Sequence, residues 1–136
     1  MNHKEQLTKQ HEGINAVIAE TTRLVSLGNL EQNASEIAKN ISILAGKLQI
    51  HLSHEDKHLY PKMIASSDIS IREKAQQYVN EMGNLQTVFS DFKNAYNTKN
   101  KILSNQAGFM SSFKTIFTAI DQRMKKEDSD LYLLLV

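Results

Sequence analysis

The sequence predicts an all-α protein, an up-down-up-down antiparallel four-helix bundle. Five glycines and one proline in 136 residues are too few for a chain of many short strands and turns. Apolar residues recur at helical spacing almost throughout, among Ala, Leu, Lys, Glu, Gln and Ile that favour helix. The periodic stretches are long and their connections short, which implies antiparallel neighbours.

The first helix is expected from about Lys4 to Leu27, ending at Gly28-Asn29, a left-handed cap. The second is expected from about Asn33 to Ile64. Pro61 near its end should kink or stop it, because proline lacks an amide hydrogen and clashes with the preceding turn. Ser66-Ser67-Asp68 supplies capping side chains for a third helix reaching about Tyr96. A polar stretch, Asn97 to Asn105, should separate it from a fourth helix that ends the chain. The whole of 1–136 reads as one domain.

Composition narrows the function classes. Lys plus Arg is 16 against 15 Asp plus Glu, for a formal charge of +1, which supplies no basic footprint for nucleic acid or a membrane surface. There are no cysteines, which excludes disulfides, iron–sulfur clusters and cysteine nucleophiles. The longest apolar run, Leu131–Val136, is far short of the ~20 residues of a membrane span. The N-terminus lacks the apolar core of a signal peptide, so a cytoplasmic protein is expected. That same apolar run is expected either to form a homodimer interface or to fold back over the bundle end.

The helix faces carry the chemistry. With about 100° per residue and His51 as zero, Ile37, Ile41, Leu44, Leu48, Leu52 and Leu59 cluster near about 70°, and Glu55 falls inside that stripe. With Arg123 as zero, Phe109, Phe113, Ile116, Ile120, Met124 and Leu131 do the same, and Glu127 falls inside theirs. Leu7, Ile14, Ile18 and Val25 stand to His11 as Tyr78, Leu85, Phe89 and Tyr96 stand to Met82. Glu55-Asp-Lys-His-Leu-Tyr60 parallels Glu127-Asp-Ser-Asp-Leu-Tyr132, so the chain reads as a degenerate two-helix repeat.

A buried carboxylate must be paired, protonated or bound to a cation. Two of them facing one core repel unless a cation lies between. His51 and Glu55 share one helix face at i and i+4, and His11 comes from the neighbouring helix. His11, His51, Glu55 and Glu127 therefore form a candidate metal site of two histidines and two carboxylates, suited to iron, manganese or zinc. The bland reading of each glutamate is a side chain that snorkels to solvent. His54 lies about 130° from the apolar centre and should be solvated, and His58 lies at the boundary. Glu55-Asp-Lys-His58 is also an ExxH, as in ferritin-like di-iron bundles, but the matching triplet ends in Asp130.

His51-Leu-Ser-His-Glu55-Asp-Lys-His-Leu-Tyr-Pro61 resembles the HxxxE…LYP motif of hemerythrin-like (HHE cation-binding) domains, and His11-Glu-Gly-Ile14 resembles their opening histidine. The resemblance implies a bundle with two irons, one on histidines of the first two helices and one on histidines of the last two, bridged by carboxylates. His11 and His51 match the first iron's histidines, and Glu55 and Glu127 match the bridges. Met82 and Arg123 stand where the second iron's histidines would be. Two orientations of Arg123 are open: inward, replacing the second cation beside Glu55 and Glu127, or outward from a decayed site. Met82 would fill space as an apolar plug.

The function this implies is metal binding at a reduced, mononuclear site. The metal is expected to be iron, about one ion per chain, in the sensing or handling of oxygen, nitric oxide or iron, with a small diatomic molecule as ligand. One alternative is a metal-free bundle kept as a protein-interaction module, and another is a redox enzyme using the open coordination positions. No reaction follows from these residues.

Overall fold

The computed structural model describes residues 3–134, with the side chains of His3, Met82 and Gly83 outside the description. Among the described residues there is no strand. Helix α1, His3–Ser26, ends where Gly28 takes φ 75°, the left-handed conformation that glycine adopts without a Cβ clash. Helix α2, Leu30–His54, starts three residues earlier than expected, because the Asn29 side chain accepts the Gln32 amide.

Pro61 does not stop the second helix. Glu55–Leu59 forms one wide π-helical turn, closed by the Tyr60 amide donating to the Glu55 carbonyl, and α3 continues over Tyr60–Ile64. Pro61 sits in the first turn of α3, where its missing amide costs little. The chain solves the same problem twice. Glu127–Leu131, with no proline after it, forms a second π-helical turn, closed by the Tyr132 amide on the Glu127 carbonyl. The wide turns therefore belong to the two glutamates rather than to the proline.

Asp68 caps α4, Ile69–Tyr96, by accepting the Ser70 amide at 2.9 Å. The polar stretch after it is not an open linker. Thr98 caps a short helix α5, Lys99–Ser104, whose Ile102 is fully buried. Single-residue periodicity is too short there to register in sequence. Helix α6, Gln106–Lys126, comes next, and the second π turn leads into a 3-10 turn at Tyr132–Leu134.

Two apolar clusters form along the helices. The larger joins Ile14, Ile37, Ile41, Leu44, Phe89, Phe92, Phe109, Phe113, Ile120 and Met124. Its aromatic rings meet at centroid distances of 4.3–6.1 Å. The smaller joins Leu7, Leu59, Tyr60, Met63, Tyr78, Leu131 and Tyr132. Between them the helices pass buried polar or charged positions: His11, then His51 and Glu55, then Arg123 and Glu127. In α4 the same level falls at Met82, whose side chain lies outside the described residues.

The terminal apolar run divides. Leu131 and Tyr132 are core residues, Leu133 is exposed, and Leu135 and Val136 lie outside the described residues. Among the described residues no helix is long and apolar enough to cross a membrane.

Ile102→Ala should cost about 2–5 kcal/mol in urea unfolding, as expected for a buried isoleucine. A solvated linker would show a change within about 0.5 kcal/mol.

Candidate metal centre

Three donor atoms converge in the polar layer. His11 Nε2 lies 2.9 Å from His51 Nε2 and 2.9 Å from Glu127 Oε1, and His51 Nε2 lies 3.3 Å from that same oxygen. All three side chains are buried, and together they form a group that could hold a metal ion.

The other ring nitrogens fix what faces inward. His11 Nδ1 lies 2.8 Å from Asp128 Oδ1, a carboxylate that can only accept, so Nδ1 carries the hydrogen. His51 Nδ1 donates to Gln10 Oε1 at 2.8 Å, while Gln10 Nε2 faces His54 Nδ1 at 3.4 Å. In a neutral ring the Nε2 atoms then present lone pairs. Two such lone pairs and a carboxylate oxygen within 3.3 Å of one another have no hydrogen to share. Only a proton or a metal cation makes the arrangement favourable. Holding Nδ1 by a second residue is how proteins orient imidazole toward a metal.

The carboxyls sort into two states. Burial, then the charge of Glu127 beside it, push the Glu55 carboxyl well above the usual carboxylate range. Burial raises Glu127 too, but contacts with His11 and His51 outweigh it and hold that carboxyl low. Burial also lowers His51, against the raising influence of Glu127, and so favours the neutral ring that a metal requires. Glu55 Oε1 and Glu127 Oε2 are buried without a hydrogen-bond partner, a further sign of a group that takes oxygen ligands. Glu55 Oε1 lies 3.4 Å from His51 Nε2, beside the three donors.

Arg123 points inward. Its Nε lies 3.4 Å from Glu127 Oε2, Nη1 donates to Glu81 Oε2 at 2.8 Å, and Nη2 donates to the Tyr78 carbonyl at 2.8 Å. The guanidinium carbon sits 4.1 Å from the centre of the Tyr78 ring, over its face. A fixed positive charge thus stands beside Glu127, on the side away from the histidines.

All four residues singled out by helical spacing reach this layer. His54 does not lie free in solvent, since it is half-buried and touches Gln10, while His58 is exposed with its ring 5.1 Å from that of His54. The ferritin-like arrangement is not assembled. Asp130 instead accepts from Lys74 at 2.7 Å and from the Tyr78 hydroxyl at 3.1 Å. Helical spacing misses Gln10, Asp128, Glu81 and Tyr132. Tyr132 is the most central of these, its hydroxyl donating to Glu55 Oε2 at 2.9 Å and lying 3.0 Å from His11 Nε2. The one signal for it in the sequence is the tyrosine that recurs five residues after each glutamate.

Arg123→Ala should destabilise the metal-free protein by about 3–5 kcal/mol in urea unfolding, because Glu127 loses its buried counter-ion. The part-exposed Glu81 contact accounts for only about 0–1 kcal/mol of that. Glu55 rises above its ordinary 4.5 on folding, so its stabilisation is whole below that value and is lost as pH climbs through the raised one. The lowered His51 acts in the opposite sense below its ordinary 6.5. The Glu55 contribution is therefore the difference between chelator-treated wild type and Glu55→Gln, and the wild type should lose melting temperature relative to the variant as pH rises.

The model of the Hemerythrin HHE cation binding domain matches residues 2–135. No curated protein and no solved structure matches the chain. The match spans nearly the whole sequence, and the chain belongs to the hemerythrin HHE cation-binding domain family.

Proposed function

We propose that this chain is a hemerythrin-type metal-binding protein with a mononuclear site, its ion held by His11, His51 and Glu127, with Glu55 as a further oxygen donor. The observation that carries this reading is the convergence of two Nε2 lone pairs on one Glu127 oxygen, with both Nδ1 atoms already committed. Imidazole and carboxylate together suit iron, manganese or zinc, and kinship with hemerythrin domains favours iron among them. Arg123 supplies, next to Glu127, the charge that a second ion would bring, so one ion per chain suffices.

The protein's own contribution is orientation and charge. Asp128 and Gln10 hold the rings, Arg123 neutralises the outer Glu127 oxygen, and the two apolar clusters keep bulk water from the layer. The bound ion would supply an open position for a small diatomic ligand, and the role is sensing or handling of oxygen, nitric oxide or iron. In this reading the chain is a cytoplasmic up-down-up-down bundle. Among the described residues a homodimer through 131–136 would rest on exposed Leu133, because Leu131 and Tyr132 are committed to the core and Leu134 packs against it.

Metal analysis of protein purified without a histidine tag should give about one transition metal per chain. His51→Ala and Glu127→Gln should remove it, and His54→Ala should leave it nearly unchanged. Absence of metal in the wild type after ferrous loading would favour the metal-free interaction module, and two ions per chain would contradict the role given to Arg123.

A further inference from the structure

The Tyr132 hydroxyl is buried in the middle of the donor group, and ordinary hydrogen bonding does not account for its position. It lies 3.0 Å from His11 Nε2, 3.3 Å from His51 Nε2 and 3.3 Å from Glu127 Oε1. Its one hydrogen has its shortest acceptor in Glu55 Oε2, at 2.9 Å. The phenolic oxygen then turns its lone pairs toward two nitrogen lone pairs and a carboxylate oxygen. Four acceptors face one another with no hydrogen to share.

Their mutual distances have a simple geometry. The six separations among His11 Nε2, His51 Nε2, Glu127 Oε1 and the Tyr132 oxygen all lie between 2.9 and 3.3 Å. Those are the edges of a nearly regular tetrahedron whose corners stand about 2 Å from its centre, close to the about 2.0–2.2 Å of metal–nitrogen and metal–oxygen bonds. We propose that Tyr132 is a ligand of the metal site beside His11, His51 and Glu127, binding through its phenolic oxygen and leaving further positions of a five- or six-coordinate ion to Glu55 and a small molecule. This ligand role rests on the proposal that the group holds a metal.

Metal binding deprotonates its ligands. Glu55, held well above the usual carboxylate range, already carries a proton, so the hydrogen that Tyr132 loses on binding a cation leaves to solvent. A phenolate is a hard anionic donor, and it is an established axial ligand of ferric iron. The site is therefore built to favour the ferric over the ferrous ion. The tyrosine at the matching place in the repeat provides an internal contrast. Tyr60 faces Arg123 and the two glutamates, and its hydroxyl is buried without a hydrogen-bond partner. Among the described residues no histidine ring is paired with it, whereas Tyr132 stacks on His11.

The test is optical. Protein loaded with ferrous iron and then oxidised should develop a visible phenolate-to-iron charge-transfer band, and Raman excitation within that band should enhance tyrosinate ring modes. Tyr132→Phe should lose both signals while still binding iron through the remaining donors, more weakly than the wild type, with unchanged helical circular dichroism. Tyr60→Phe should keep both signals. Stoichiometric iron in the wild type without the band would overturn the ligand assignment and leave the metal site standing, as would a band lost with Tyr60 and kept without Tyr132. Wild type that binds no iron would overturn both. If Tyr132→Phe fails to fold, the wild-type Raman signature and the Tyr60 variant still decide the matter.

Discussion

The layer that holds His11, His51, Glu55 and Glu127 is governed by a shortage of hydrogens. Asp128 and Gln10 take the Nδ1 hydrogens of the two histidines, and Tyr132 gives its own to Glu55. What remains at the centre is a set of electron pairs in a dry interior, where an unpaired polar atom costs roughly 1–3 kcal/mol and an unpaired charge more. Positive charge has to be placed there. Arg123 supplies it for one oxygen of Glu127, from the outer side. The inner oxygen and the two nitrogens still require a cation.

That requirement explains why the core is divided. An uninterrupted apolar bundle would be more stable than one with five buried polar side chains in its middle, since burying charge costs more than burying methylenes returns. The aromatic cluster around Phe92 and Phe109 and the smaller cluster around Leu59 and Leu131 lie on either side of the layer. They supply the apolar burial that holds the helices together, and they keep the dielectric low where the donors meet. Stability and function are thus segregated by level along the helices, not by face.

Much of this was legible in the sequence, for a definite reason. A straight α-helix advances about 100° per residue, and along the straight parts that rule brings His11, His51, Glu55 and Glu127 to the core, while it leaves Arg123 open between inward and outward. The same rule fails for Tyr132. Five residues beyond Glu127 it predicts a side chain about 140° away, yet the wide turn returns Tyr132 to the face of Glu127. Gln10 and Asp128 escaped because each is adjacent to a ligand in sequence and so looks like a surface neighbour, although its side chain reaches a histidine of another helix. Helix α5 escaped because six residues carry too little periodicity to stand out from polar surroundings.

The π-helical turns make spacing, rather than residue identity, the inherited quantity. Each adds one residue to a helical turn, so it works as a rotation of all the chain beyond it. Straightening the second wide turn into ordinary helix with no residue lost would leave Tyr132 about 140° from Glu127 and out of the layer. Loss of one residue from 128–131 would instead place the tyrosine four after the glutamate, about 40° away, and keep it there. Two chains of this architecture could carry the same glutamate and the same tyrosine and yet differ in whether the two meet. Column-by-column comparison is blind to this difference, which is an angle set by a count of five.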